Sequence, residues 1–235
     1  MNQFTKSCFS LLILCLCLST AKAQVGYNYK EYEFGVGLDF NTAYTDAQTL
    51  KSTRSARLTF TYNATPFVNY VVEVQTGNLQ GGDALTTTTG RQFTNAYNAV
   101  LLRGQLQGGE ILDYSGGGVV NAFKNLYVSS GLGVVFNNIK EINRYSIKTP
   151  GFYSDGEDKS KQLIVPFRLG YEFKLYNRYG EPGLKIDLGY QYNFVLGDGL
   201  DGFTAGKQKD SYAQFGIGIK YALGNIATYR KQINY

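Results

Sequence analysis

The feature that most constrains this chain is a strict alternation of apolar residues with polar residues or glycine, repeated in eight segments of about ten residues. Successive side chains of a β-strand point to opposite faces, so each segment predicts a strand with one apolar face and one polar face. The first segment places Tyr32, Phe34, Val36, Leu38 and Phe40 opposite Glu31, Glu33, Gly35, Gly37 and Asp39. The others lie near residues 57–64, 68–75, 94–106, 125–136, 163–174, 184–194 and 214–223, and the alternation is less regular in 94–106 than elsewhere.

The connectors between these segments alternate in length. Long polar connectors cover residues 41–55, 77–93, 137–161 and 196–210, whereas shorter ones lie at Thr65-Pro66 and at 176–183. This pattern predicts long loops at one end of an up-and-down sheet and short turns at the other. The connector 107–124 is the exception, since it has the composition of a short helix, and we leave open whether it contacts a periplasmic partner.

The N-terminal segment indicates export. Lys6 precedes an apolar stretch from Cys8 to Leu18, and the small residues Ala21 and Ala23 follow. Residues 1–23 are therefore predicted to be a cleaved signal peptide, because the apolar stretch is too short to be a membrane-anchoring helix, the alternative that we considered. We expect residues 24–224 to form one β-domain and residues 225–235 to form a polar periplasmic tail.

Cysteine and histidine usage excludes several kinds of site. All three cysteines lie in the predicted signal peptide, so the mature chain has no thiol for a disulfide or a thiolate metal site. The chain contains no histidine, which removes the commonest general base and transition-metal ligand. We therefore expect no metal, no cofactor and no enzymatic activity. Its Lys and Arg residues form no dense cluster in the sequence, so we expect no nucleic-acid partner.

Two physical arguments decide which face of the sheet points outward. An eight-stranded barrel has an interior that side chains fill, and the apolar set is too large for that volume. The opposite face carries many glycines and charges of both signs, which suits a crowded lumen, because glycines leave room for long charged side chains. We therefore predict an all-β, eight-stranded antiparallel transmembrane barrel, with apolar residues toward lipid.

Charges inside such a barrel must be paired, because an unpaired buried charge is very costly. The turn at Thr65-Pro66 predicts that Arg57 lies diagonal to Glu73. In the hairpin of the sixth and seventh segments, Lys185 and Asp187 should approach Glu172 and Arg168. The candidate lumenal ion-pair residues are Glu33, Asp39, Arg57, Glu73, Arg168, Glu172, Lys185, Asp187 and Lys220.

Aromatic residues at the ends of the segments predict girdles at the membrane boundaries. One rim is expected to carry Tyr32, Tyr62, Phe67, Phe173 and Tyr221. The other is expected to carry Phe40, Phe136, Phe194 and Tyr212.

Three stretches of the sequence resemble small outer-membrane β-barrels of the porin-like superfamily, related to the membrane domain of outer-membrane protein A. They are residues 65–77 with Thr65-Pro66-Phe67, residues 127–134 with Gly131-Leu132-Gly133, and residues 214–221. The last resembles the terminal-strand signal that the barrel-assembly machinery reads, with Gln214, Gly216, Ile219 and Tyr221. That signal normally ends the chain, whereas here residues follow it.

The loops offer only weak candidates for other sites. Asp198, Asp201 and the glycines beside them resemble part of a calcium loop but lack the bidentate Glu, so a solvated loop is the simpler interpretation. Asp155 and Asp158 form a carboxylate pair that nothing distinguishes from solvated charge.

Three functions remain open at this point. The first is a structural or surface-interaction protein of a Gram-negative outer membrane, with a lumen plugged by polar side chains and a ligand of the extracellular loops. The second is a narrow channel for small solutes, and the third is a loop-borne lipid or peptide hydrolase. Outer-membrane lipid and the barrel-assembly machinery are the expected partners.

Overall fold

The computed structural model describes most of the predicted mature chain, namely residues 26–47, 49–87, 89–112, 118–178, 180, 182–204 and 209–230. The expected signal peptide lies outside the described residues. Eight antiparallel strands form a closed ring in chain order, which confirms the predicted up-and-down barrel. The strands are β1 (Gly26–Tyr44), β2 (Ser52–Asn63), β3 (Val68–Gly82), β4 (Gln92–Gln107), β5 (Leu126–Asn143), β6 (Lys159–Tyr176), β7 (Pro182–Val195) and β8 (Ser211–Arg230).

The seam between β1 and β8 closes the barrel. Its pairing runs from Tyr44 opposite Ser211 to Gly26 opposite Arg230. The predicted tail boundary after Gly224 is therefore wrong for residues 225–230, which continue β8 because the strand Gly26–Lys30 lies beside them and supplies hydrogen-bonding partners. Residues 231–235 lie outside the described part of the chain.

The connectors follow the predicted alternation, but the strands reach farther into the loops than the sequence indicated. β5 continues to Asn143, although we expected its loop to start at residue 137. Connector 107–124 contains two short helices, α1 (Gly108–Ile111) and α2 (Gly118–Phe123), at the end of the barrel that carries the short turns. Among the described residues, no helix is long and apolar enough to cross a membrane.

The outer wall of the barrel is apolar. Leu38, Leu102 and Leu132 expose 62 %, 61 % and 66 % of their surface, and the alternate residues of each strand point inward. In water, such a continuous apolar wall would be an aggregation surface, whereas hydrocarbon covers it at no cost. The fold therefore presents its apolar face to lipid, as predicted.

Aromatic rings lie close together at the short-turn rim, where Tyr62 forms a tilted pair with Tyr32 and a stacked pair with Tyr70, at centroid distances of 5.7 and 6.5 Å. Two residues that we assigned to the girdles are wholly buried, so the prediction is wrong for Phe67 and Tyr212. Phe67 follows a turn that directs it beneath the barrel. Tyr212 shares the inward parity of Gln214 on β8.

Candidate functional site

Buried side chains lie inside the barrel in three layers, and we treat these layers as the candidate functional site. At the long-loop end, the described residues of the loop between β7 and β8, 196–204 and 209–210, contribute buried side chains, and we call this layer the cap. An ionic network lies in the middle, and an aromatic group at the short-turn end forms the third layer, which we call the base.

Arg57 and Arg168 lie at the centre of the ionic network and share one carboxylate. Arg57 forms an ion pair with Asp39 on the neighbouring strand and a second with Asp187, at 3.3 Å. Arg168 contacts the same Oδ2 atom of Asp187 at 2.9 Å, and its Nε donates to the Tyr127 hydroxyl at 2.7 Å. Strands β1, β2, β6 and β7 are thus linked across the lumen.

Glu73 is wholly buried and forms an ion pair with Arg103 of β4, at 2.5 Å. Arg57 pairs across the strands with Gln75, so it does lie diagonal to Glu73, as predicted. Arg57 nevertheless forms its ion pairs with Asp39 and Asp187. We missed Arg103 because the alternation in its segment is ambiguous. By its spacing, Arg103 shares a face of the strand with Ala99 and Leu101, and the structure buries all three inside the barrel.

Glu172 is the centre of the lower half of the network. Lys220 lies 2.6 Å and Lys185 lies 3.5 Å from its carboxylate oxygens, and Lys185 also pairs with Glu33. Gln107 donates to Glu172 at 2.8 Å. The structure thus brings each predicted lumenal residue into an ion pair, and none of these charged residues exposes more than 5 % of its surface.

Glycines provide the space that the arginines occupy. A Cβ atom on Gly37 would lie 2.8 Å from the guanidinium carbon of Arg57, and one on Gly189 would lie 2.7 Å from Arg168. Real Cβ atoms do not approach other atoms this closely. The glycines on the inner face therefore allow the flat guanidinium groups to lie against the barrel wall.

The four residues of the predicted assembly signal divide between the two faces of β8. Gln214 is buried in the lumen, where its amide nitrogen donates to Asn41 at 3.0 Å and to the Tyr97 hydroxyl at 3.1 Å. Gly216 faces Asp39 and Arg57, whereas Ile219 and Tyr221 are half exposed on the lipid side. Packing alone accounts for Gln214 and Gly216, and recognition by the assembly machinery stays a prediction.

The cap inserts two apolar side chains into the barrel. Leu200 and Phe203 are wholly buried in an apolar cluster with inward-facing residues, among them Leu79, Phe93 and Tyr97. The sequence pattern did not predict this apolar part of the lumen. Its other members are Ala43, Ala47, Ala99, Leu101, Val135, Ile164, Val195 and Tyr212.

Hydrogen bonds hold the cap to the surrounding strands and loops. Asn95 of β4 donates to the Leu200 carbonyl at 2.7 Å, and Arg144 donates to the Gly202 carbonyl at 2.8 Å. Two buried carboxylates bind its backbone, since Asp210 accepts from the Leu200 amide and Asp201 from the Phe203 amide, each at 2.9 Å.

These carboxylates have shifted pKa values. Burial, together with nearby Asp201, Asp198 and Asp46, raises the pKa of Asp210 to about 8. Burial raises the pKa of Asp201 to about 6, and Asp46 and Asp198 add to the shift. Both groups therefore bind a proton more readily than an ordinary aspartate does.

The base lies at the opposite end of the barrel. Phe67 lies 5.3 Å from the Tyr27 ring and 6.2 Å from the Tyr229 ring, measured between centroids. The Tyr229 hydroxyl donates to Glu110 of α1 at 2.9 Å, and Thr65 donates to the same carboxylate at 3.1 Å. Helix α1 is thereby fixed to the end of β8, in the segment that we expected to be a free tail.

The weaker loop candidates do not assemble into a reactive site. Asp158 forms an ion pair with Arg144, at 2.8 Å, and Asp155 accepts from its neighbour Gly156. Within the described ranges, no three acidic side chains converge in a geometry that holds a metal ion.

Comparison with known proteins supports the fold. No protein-family model and no curated protein sequence matches the chain. Among solved structures, it is similar to Neisserial surface protein A, with a TM-score of 0.50 and 10 % identity over 85 % of this chain and 100 % of that one. The Ail protein of Yersinia pestis matches with a TM-score of 0.46 and 11 % identity, over 83 % of this chain and 99 % of that one. The shared feature is the architecture of small eight-stranded outer-membrane barrels.

Proposed function

Starting from the fold that it shares with small outer-membrane barrels, we propose that this chain is a non-conducting scaffold that presents extracellular loops for surface interactions. We further propose that it is exported through a cleaved signal peptide into the outer membrane of a Gram-negative bacterium. The non-conducting role, and the absence of catalysis, belong to this proposal.

The observation that supports the proposal is the stack of three layers of buried side chains inside the barrel. The cap, the ionic network and the base lie one above another, so a solute must displace all three to cross. The network is the hardest layer to open, because moving one partner of a buried ion pair leaves the other charge unpaired. Filling with paired side chains also makes the barrel rigid, which suits a scaffold.

The loop between β5 and β6 supports a binding role. Tyr145 and Tyr153 pair within it, with ring centroids 5.0 Å apart, and they expose 65 % and 50 % of their surface. Arg91 donates to Ser154 at 2.9 Å, which fixes this loop to its neighbour. Exposed aromatic side chains on an ordered loop lose little conformational entropy on binding.

Conductance in planar lipid bilayers tests the proposal. We expect no steady single-channel current from the inserted wild-type protein, with a known porin in the same membrane system as the positive control. Heat-dependent migration in gels would verify that the reconstituted protein is folded.

The narrow-channel alternative predicts the opposite result. Steady currents that change with Glu73→Gln or Arg168→Ala would place ions among these side chains and refute the non-conducting scaffold. The hydrolase alternative requires cleavage of a lipid or peptide by the purified protein.

A further inference from the structure

Three lysines lie together on the outer wall at the long-loop end of the barrel. Lys159 and Lys161 are exposed on the outward face of β6, separated by about 7 Å along the strand. Lys140 is exposed on the neighbouring strand β5, where it follows the inward-facing Ile139 and forms part of a bulge. We call these three residues the lysine patch.

The lysine patch stands directly above the lipid-facing band. Lys161 pairs across the strands with Phe136, and its ammonium group lies 5.7 Å from the centre of that ring. The next outward residue on β6 is Leu163, which exposes 59 % of its surface. Aromatic rings at a barrel rim mark the level of lipid headgroups. The Lys161 ammonium group is therefore at that level, and Lys159 and Lys140 lie just beyond it, toward the long loops.

The charge of the patch is not balanced by ion pairs. In the described ranges, no carboxylate forms an ion pair with Lys140, Lys159 or Lys161. The acidic groups beside them are Glu141, Asp158 and Glu157. Glu141 is directed toward Thr94 at 3.4 Å, Asp158 pairs with Arg144, and Glu157 is exposed at the end of the loop. Like charges on one face of a sheet repel each other, and an external anion would relieve that repulsion.

We propose that the lysine patch binds the anionic headgroup of a lipid in the extracellular leaflet. Its phosphate would contact the ammonium groups, and its acyl chains would lie against the apolar wall below, at Phe136 and Leu163. A soluble anion would gain only the first of these contacts. The inference rests on the membrane orientation in the proposed function, but it does not require a silent lumen.

Lipid retention tests this inference. The mature protein would be folded into vesicles of equal phosphatidylglycerol and phosphatidylcholine and extracted with mild detergent, and the lipids that co-purify would be quantified by mass spectrometry. We expect the wild type to retain phosphatidylglycerol in excess. Lys161→Gln should lower the excess by up to about fivefold, and the triple variant with Lys140→Gln and Lys159→Gln should abolish it.

A matched control removes three charges elsewhere, through Lys51→Gln, Lys148→Gln and Arg230→Gln. It should retain the wild-type excess. An unchanged excess in the lysine-patch variant, or no excess in the wild type, would overturn the inference. So would loss of the excess when inorganic phosphate is added, because the patch would then be a free-anion site.

The two proposals fail in distinguishable ways. A protein that migrates as a folded barrel and is silent in bilayers, but shows no lipid preference, would refute only the lysine patch. A conducting protein that retains phosphatidylglycerol would refute only the non-conducting scaffold.

Discussion

The charge of the buried Glu73 carboxylate is stabilised by contacts with very few side chains. Its carboxylate is wholly buried, with Arg103 at 2.5 Å and the Gln75 amide at 2.6 Å. A buried ion pair contributes little net stability, but removal of one partner leaves a charge that the surroundings do not solvate. The lumen therefore tolerates coordinated changes of both partners better than single ones.

Arg103→Gln should destabilise the barrel by about 3–5 kcal/mol, because Glu73 loses its charged partner. Urea unfolding in lipid vesicles, followed by gel migration, would measure the change. Arg54→Gln, which removes an exposed arginine on β2, is the matched control and should have an effect within about 0.5 kcal/mol. Recovery of stability in the double variant with Glu73→Gln is expected, and a fully stable single variant would contradict this explanation.

Gly189→Ala should also destabilise the protein, by about 1–3 kcal/mol, since the new methyl group would overlap the Arg168 guanidinium. Gly104→Ala is the comparison, because a Cβ atom there has no other atom within 4 Å. That variant should be neutral or slightly more stable, as glycine weakens a strand. The same unfolding assay applies, and equal effects at the two positions would argue against the packing role of the lumenal glycines.

At the scale of elements, two buried aspartates of the cap predict that its docking depends on pH. Their pKa values are raised in the docked state, to about 8 for Asp210 and about 6 for Asp201. A raised carboxyl pKa means that docking favours the protonated form. Docking is therefore most stable below the ordinary aspartate pKa of ~4, and it loses stability as the pH rises toward about 8.

Residues 196–204 should consequently become more mobile between pH 5 and pH 9. The predicted mature chain has no cysteine, so Thr204→Cys would provide a unique site for a spin label. We expect the mobile fraction of the label to rise with pH in the wild-type background, and to change much less with Asp210→Asn. Glu31→Gln, on β1 near the short-turn end, serves as the control, and a label with pH-independent mobility would exclude the protonation mechanism.

For the whole molecule, the apolar outer wall requires lipid or detergent. We expect the mature chain to fold only when an amphiphile is present, and the unheated protein to migrate differently from the boiled protein in detergent gels. A β-rich circular dichroism spectrum should accompany the folded form. Recovery of a folded, soluble monomer without any amphiphile would refute the orientation of the barrel.

Much of the architecture was predictable because apolar and polar residues alternate along each strand and so identify its two faces. In β1, for instance, the apolar residues mark the outward face, and the polar residues and glycines mark the inward face. The end of β8 was not predictable, since residues 225–230 form a strand only because Gly26–Lys30 lie beside them. The alternation of residues within β8 does not indicate that its end pairs with the start of β1.

The lumenal residues, too, were predictable only in part. The sequence identified the charges that must be buried, including Arg57 and Glu172, from their place on the polar face. It did not determine their partners, because Arg57 reaches Asp187 from the far side of the ring, 130 positions away in the sequence. The lysine patch was equally invisible, as Lys140 and Lys159 belong to different strands.

The sequence by itself determined the number of strands, the face that each strand turns toward lipid, and the length pattern of its connectors. These properties depend on residue order within a strand or a turn. Only the tertiary structure decided which charges pair, that Leu200 and Phe203 fold back into the barrel mouth, and that Phe67 lies beneath it. Ion pairs and apolar packing act between atoms that closure of the barrel brings together, whatever their separation along the chain.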